Sequence, residues 1–187
     1  MVLIDCRESD QQQRNSAAEV LVDALRHVPS AWKNIDEALM EVSSFITDRD
    51  RLAILAVEDA LVAGWIGGIR HSKFAWELHP LVVRPERQRQ GLGKMLVSAF
   101  EIRARAEGVI TVWLGTDDDF GGTNLFGQDL YPNVLGALQQ MRETNGHPFR
   151  FYETVGYTVT GVFPDVDGFG KHDILMAKRV AECAAGV

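Results

Sequence analysis

The chain has 187 residues, 46% of them hydrophobic, and a formal net charge of -7 with a pI near 5.2. That length favours one domain, and that composition builds a packed core rather than a disordered chain. The acidic balance argues against a nucleic-acid or anionic-membrane partner, since both reward basic surfaces.

Val2-Leu3-Ile4 predicts a short first strand, too short to be a signal-peptide core. Apolar residues at Val20, Leu21, Ala24, Leu25 and Val28 predict a helix over 16–28, broken by Pro29. A second helix follows from Ile35 to Ile46, with Asn34 as its N-cap. Residues 52–57 and 61–69 read as a hairpin around Glu58-Asp59, and 74–83 as the next strand. A polar, basic loop leads to a helix over 92–107 that Gly108 ends. Residues 109–114 read as a buried strand, and 115–132 as a long Gly-, Asp- and Asn-rich loop. Helices over 133–143 and 148–155 and strands over 157–163 and 173–177 complete the pattern. The order predicts one α+β domain over 1–180, a mixed, mostly antiparallel sheet flanked by helices, with a tail over 181–187. Cys6 and Cys183 give neither a disulfide framework nor a metal cluster, which suits a reduced cytoplasm. No stretch reaches membrane-spanning length.

The first chemical signal is the turn between 83 and 94. A strand, a Gly-rich turn and a helix start make an anion site, because free N–H groups and the positive end of the helix dipole converge there. Gly91 and Gly93 let an oxyanion approach without a Cβ in the way. Arg84, Arg87, Arg89 and Lys94 concentrate positive charge around the same turn. The spacing is neither a P-loop nor the dinucleotide fingerprint, so on its own the turn is equally a solvated basic loop. The second signal is charge segregation: from Ala106 to Met141 there is no Lys or Arg, while Glu107, Asp117, Asp118, Asp119 and Asp129 are acidic.

Val83 to Gly93, with Gln88, Gly91 and Gly93 in the pattern Gln/Arg-x-x-Gly-x-Gly/Ala, resembles motif A of the GCN5-related N-acetyltransferase (GNAT) superfamily. Phe151-Tyr152-Glu153-Thr154-Val155-Gly156-Tyr157 is similar to that family's later motif. Trp76 to Val83, Leu114 to Asp118, Asp129-Leu130-Tyr131, His147-Pro148-Phe149 and Lys171 to Lys178 resemble the aminoglycoside 6′-N-acetyltransferase branch, although His172 stands where a Pro is expected.

The resemblance implies acetyl transfer from acetyl-coenzyme A, without a metal, to the 6′-amine of an aminoglycoside by direct attack in a ternary complex, conferring resistance. It implies that Gln88, Arg89, Gln90, Gly91, Leu92, Gly93 and Lys94 hold the cofactor pyrophosphate, and that Leu81, Val82 and Val83 line the pantetheine arm. Glu77 falls at the position of the base or amine anchor, and Tyr152 at that of the general acid or a cofactor contact. His79, two residues from Glu77 on the same strand face, either assists through water or is a structural histidine. Asp117, Asp118 and Asp173 are candidates to meet substrate ammonium groups. Trp32 is either a sugar platform or a core residue. The branch tends to form homodimers. Other readings are acetylation of a polyamine or protein amine, and a non-catalytic acetyl-coenzyme A-binding module.

Overall fold

The computed structural model describes residues 1–29 and 31–182, so most of the expected tail lies outside the described residues. The chain divides into two compact units. Of the described residues, the first comprises Met1–His27, Ala31–Val112 and 179–182; the second is built on Trp113–Lys178.

In the first unit β1 (Val2–Asp5), β2 (Arg51–Glu58), β3 (Leu61–Arg70) and β4 (Ala75–Val83) pair antiparallel in that order. α1 (Gln11–Ala24) starts five residues earlier than its apolar stripe predicts. The cause is a capping box: Gln13 N donates to Asp10 Oδ1 at 2.8 Å and Asp10 N donates to Gln13 Oε1 at 3.0 Å. α2 (Ile35–Thr47) is capped as predicted, with Glu37 N donating to Asn34 Oδ1 at 2.9 Å. Ala17, Ala18 and Leu21 of α1 and Ala38, Val42 and Phe45 of α2 bury their side chains with Leu55, Trp65 and Val82. Trp65 is fully enclosed, and its indole N–H donates to Ala17 O at 3.0 Å. Burial of one such aromatic contributes about 2–3 kcal/mol. α3 (Leu92–Ala106) packs on β3 and β4 through a face that includes Leu96 and Phe100.

Two glycines at the centre of β3 set how closely these layers approach. Ile66 pairs with Leu81 and Gly68 with Leu78, so Gly67 faces both His79 and Pro80, a bulge on β4. A Cβ on Gly67 would run into His79 O and lie 2.6 Å from the Phe45 ring, while one on Gly68 would enter the Phe100 ring. Successive strand residues point to opposite faces, so α2 and α3 cover opposite faces of β3. Because His79 O is backbone and has nowhere to go, Gly67→Ala is expected to cost about 1–3 kcal/mol. A thermal melt unchanged by the substitution would show that the bulge yields.

In the second unit β7 (His172–Arg179) lies between β5 (Thr111–Asp118) and β6 (Thr158–Phe163), and β6 and β7 pair antiparallel. α4 (Val134–Gln139) and α5 (Phe149–Thr154) complete it. β5 continues four residues past the predicted end of its strand, through the start of what the sequence presents as loop.

Candidate active site

β4 gives the first unit its chemical face. Its burial alternates strictly, leaving Glu77, His79, Leu81 and Val83 half-exposed and burying Trp76, Leu78 and Val82. Glu77 Oε2 and His71 Nε2 share a hydrogen bond of 2.6 Å. The His79 ring lies 5.7 Å, centroid to centroid, from that of Trp32, and its Nε2 is 3.8 Å from Glu41 Oε1. Burial lowers the His79 pKa from its ordinary value, and the carboxylates of Glu41 and Glu77 act in the opposite direction. Glu41 is itself held by Arg51 Nη1 at 2.8 Å. The structure thus brings Trp32, Glu77 and His79 onto one neighbourhood. It adds His71 and Glu41, which the sequence did not single out: each is an ordinary polar residue, in a turn and on a helix, with no motif around it.

Beyond Val83 the chain makes a tight 3-10 turn at Pro85–Arg87 and enters α3. Gln88 Nε2 donates to Val83 O at 3.1 Å and Gln90 Nε2 to Glu86 O at 2.8 Å, so both glutamines brace the loop. Arg89 and Gly91 have φ of 61° and 88°, the left-handed region that a glycine enters without strain. Gly91 is the N-cap, no side chain caps the helix, and a Cβ there would meet only open space. The N–H groups of the first turn, at Leu92, Gly93 and Lys94, therefore lie at an open, positively polarised helix end. A cavity of about 200 Å³ lies beside it, lined by Met1, Arg87, Gln90, Gly91, Leu92 and Met95.

The basic cluster divides. Arg84 donates to Val62 O at 2.7 Å and to Ser16 Oγ at 2.9 Å, and Arg87 pairs with Glu58. These two guanidinium groups brace the fold. Arg89 and Lys94 are exposed and form no ion pair among the described residues. The donor set fits a pyrophosphate: an uncapped helix start, a glycine with open space above it and two exposed cations.

The second unit carries the acids and the phenol. β5 alternates through its end, so Asp118 shares the inward face with Val112, Leu114 and Thr116. Asp118 is fully buried and accepts from Gly122 N at 2.7 Å, Thr123 N at 2.9 Å and Thr123 Oγ1 at 2.6 Å. It staples its own loop and has no oxygen to present to a substrate, against the sequence expectation. A residue placed in a loop by composition sits on a strand whose parity turns it inward. Asp117 points to the opposite, half-exposed face. The Asp173 carboxylate from β7 lies over Gly115, where a Cβ would displace it. Gly115 and Asp117 share a strand face two residues apart, so Asp117 and Asp173 border one patch.

Tyr152 on α5 is nearly enclosed, its ring edge-on to Phe151 at 5.2 Å and Tyr157 at 5.8 Å. Burial pushes its phenol pKa above the ordinary value, so the group holds its proton throughout the neutral range. His147 is buried and packs on Phe120 and Phe149, with Nδ1 accepting from Phe149 N at 3.1 Å. Burial lowers its pKa, opposed by the charge of Asp118. The unfolded chain binds a proton near pH 6.5 that the folded chain resists. The stability tied to His147 is therefore present above about pH 6.5 and lost as pH falls below it. Thermal melts at pH 7.5 and 5.5 are expected to show a smaller pH-dependent fall for His147→Gln than for the parent; equal falls would remove His147 from the cause.

The layout defines a class: a strand with a half-exposed carboxylate that runs into a glycine-capped, basic helix start. The chain belongs to the Acetyltransferase (GNAT) family, whose model matches residues 17–128. It is similar to the crystal structure of an aminoglycoside 6′-N-acetyltransferase complexed with coenzyme A, at 31% identity and a TM-score of 0.88 over 98% of this chain and 99% of that one. An aminoglycoside 6′-N-acetyltransferase from Enterococcus faecium is also 31% identical, with a TM-score of 0.84 over 98% and 99% of the two chains. The ribosomal-protein-S18-alanine N-acetyltransferase from Escherichia coli, 17% identical with a TM-score of 0.63 over 100% and 99%, shares the fold. Among curated proteins none matches the sequence. The chain is thus a GNAT-type acetyltransferase with the α+β fold of that family. No described helix is long and apolar enough to cross a membrane.

Proposed function

We propose that this enzyme transfers the acetyl group of acetyl-coenzyme A to the 6′-amine of aminoglycosides. The observation that carries the reading is local to the first unit: β4 holds Glu77 and, nine residues beyond its far end, delivers the chain into the open N-terminus of α3. An amine base and an anion cradle thus stand on one strand–turn–helix segment. Likeness to two aminoglycoside 6′-N-acetyltransferases across nearly the whole chain supports the choice of acceptor.

Acetyl-coenzyme A supplies the activated thioester. The N–H groups of Leu92, Gly93 and Lys94, with the Arg89 and Lys94 side chains, hold its pyrophosphate, and Leu81, Val82 and Val83 line its pantetheine arm. Glu77 takes a proton from the attacking amine, directly or through one water. Tyr152, protonated in its apolar surroundings, gives a proton to the leaving sulfur. Trp32 and His79 offer a ring platform, and Asp117 and Asp173 attract the remaining ammonium groups. Positioning supplies most of the acceleration in such a ternary complex.

The test mixes the protein with acetyl-coenzyme A and kanamycin, which carries a 6′-amine, and follows thiol release; the control aminoglycoside carries a 6′-hydroxyl. Rapid release with the first and little with the second is expected. Equal rates with both would move the reaction to another amine, and no release with either would overturn the antibiotic reading.

A further inference from the structure

Acetyl transfer to an ammonium substrate leaves one proton unassigned. The ammonium loses a first proton to become a nucleophile and a second as the N–C bond forms and the C–S bond breaks. The departing sulfur takes only one of the two. Under the acetyl-transfer reading above, on which this inference rests, Glu77 receives the other. Its side chain is only 20% exposed, whereas that of His71 is 47% exposed, with Nε2 lying 2.6 Å from Glu77 Oε2.

We infer that His71 is the proton outlet of Glu77. His71 directly follows β3 and Glu77 is the third residue of β4, so both flank one turn. Ser72 fixes that turn: Phe74 N and Ala75 N donate to its Oγ at 3.2 and 3.1 Å, and its own N–H donates to Ala75 O at 3.2 Å. The pair is therefore held by local structure. A histidine ring has two nitrogens, so it can take a proton at one and release one from the other. The protonated Glu77 carboxyl gives its proton to Nε2 of the Nδ1–H tautomer, the imidazolium releases its Nδ1 proton to water, and proton exchange with water then returns the ring to the Nδ1–H tautomer. Only bonds to hydrogen change, and the pair returns to a carboxylate and a neutral ring. His71 touches no reacting atom: it positions Glu77 and empties it. His79 is a poorer carrier: its Nε2 stands 3.8 Å from Glu41 Oε1, and among the described residues it makes no direct hydrogen bond to Glu77.

The experiment compares the parent, His71→Ala, His71→Gln and Glu77→Gln as full-length proteins. Their melts are checked first, and each is assayed with acetyl-coenzyme A and the amine the parent acetylates fastest. His71→Ala is expected to lower kcat roughly 10- to 100-fold, leave KM for acetyl-coenzyme A unchanged, and recover saturably on addition of imidazole. His71→Gln can still hydrogen-bond Glu77 but carries no proton, so it is expected to stay slow. A kcat for His71→Ala within a factor of two of the parent, a loss without imidazole rescue, or full repair by His71→Gln would each overturn the outlet. A slow Glu77→Gln beside a fast His71→Ala would leave the base standing and remove only its outlet. A parent inactive on every amine, or a fully active Glu77→Gln, would overturn the reading beneath it.

Discussion

Glu77→Gln is expected to lower kcat/KM for the amine acceptor by roughly 100- to 1,000-fold, while KM for acetyl-coenzyme A stays near the parent's. The amide matches the carboxylate in shape and keeps an acceptor oxygen toward His71, so β4 and its bulge are undisturbed. What disappears is the ability to take a proton from the amine. The pair with His71 is partly exposed, so its loss costs little stability. Initial-rate assays at limiting acceptor provide the measurement. A variant within tenfold of the parent would take the base role from Glu77 and turn attention to Glu41, the other carboxylate near His79.

Tyr152→Phe is expected to reduce kcat roughly 10- to 100-fold and to leave the melting temperature nearly unchanged. Phe fills the same space against Phe151 and Tyr157, so the packing survives the loss of the hydroxyl. The proposed acid works because its apolar surroundings keep the phenol protonated at the pH of the reaction. Without that proton the sulfur must leave as a bare thiolate or wait for water. An unaltered kcat would reduce Tyr152 to a packing aromatic. A fall in stability with kcat intact would say the same.

How much of this was legible in the sequence depends on the kind of signal. The turn into α3 was the clearest part, because glycine positions and a helix start impose geometry within a few residues. Glu77 was singled out by resemblance and His79 by strand parity from it, and the bulge at His79 and Pro80 did not disturb that parity in the observed burial. The start of α1 was missed because the apolar stripe speaks only for the packed turns, whereas the end is set by the polar Asp10–Gln13 box. Asp118 was misplaced because composition marks 115–132 as loop, and only the extent of β5 reveals which way the side chain turns. The partners of Arg84 and Arg87 are distant in sequence, at Ser16 and Glu58, so no local pattern separates the bracing cations from the exposed ones. His71 and Glu41 acquire meaning only from what stands opposite them.

That separation of the basic residues has a kinetic consequence. With Arg84 and Arg87 neutralised locally, the exposed positive charge at the turn reduces to a small patch on a chain of net charge -7. The two proposed substrates carry opposite charge, so the protein's long-range field draws in a polycationic acceptor and resists a polyanionic donor until the donor comes within reach of the patch. Mobile ions screen both effects over about 8 Å at physiological ionic strength. Rising salt therefore slows the encounter with the acceptor and eases that with the donor, so the two encounters respond to salt in opposite directions.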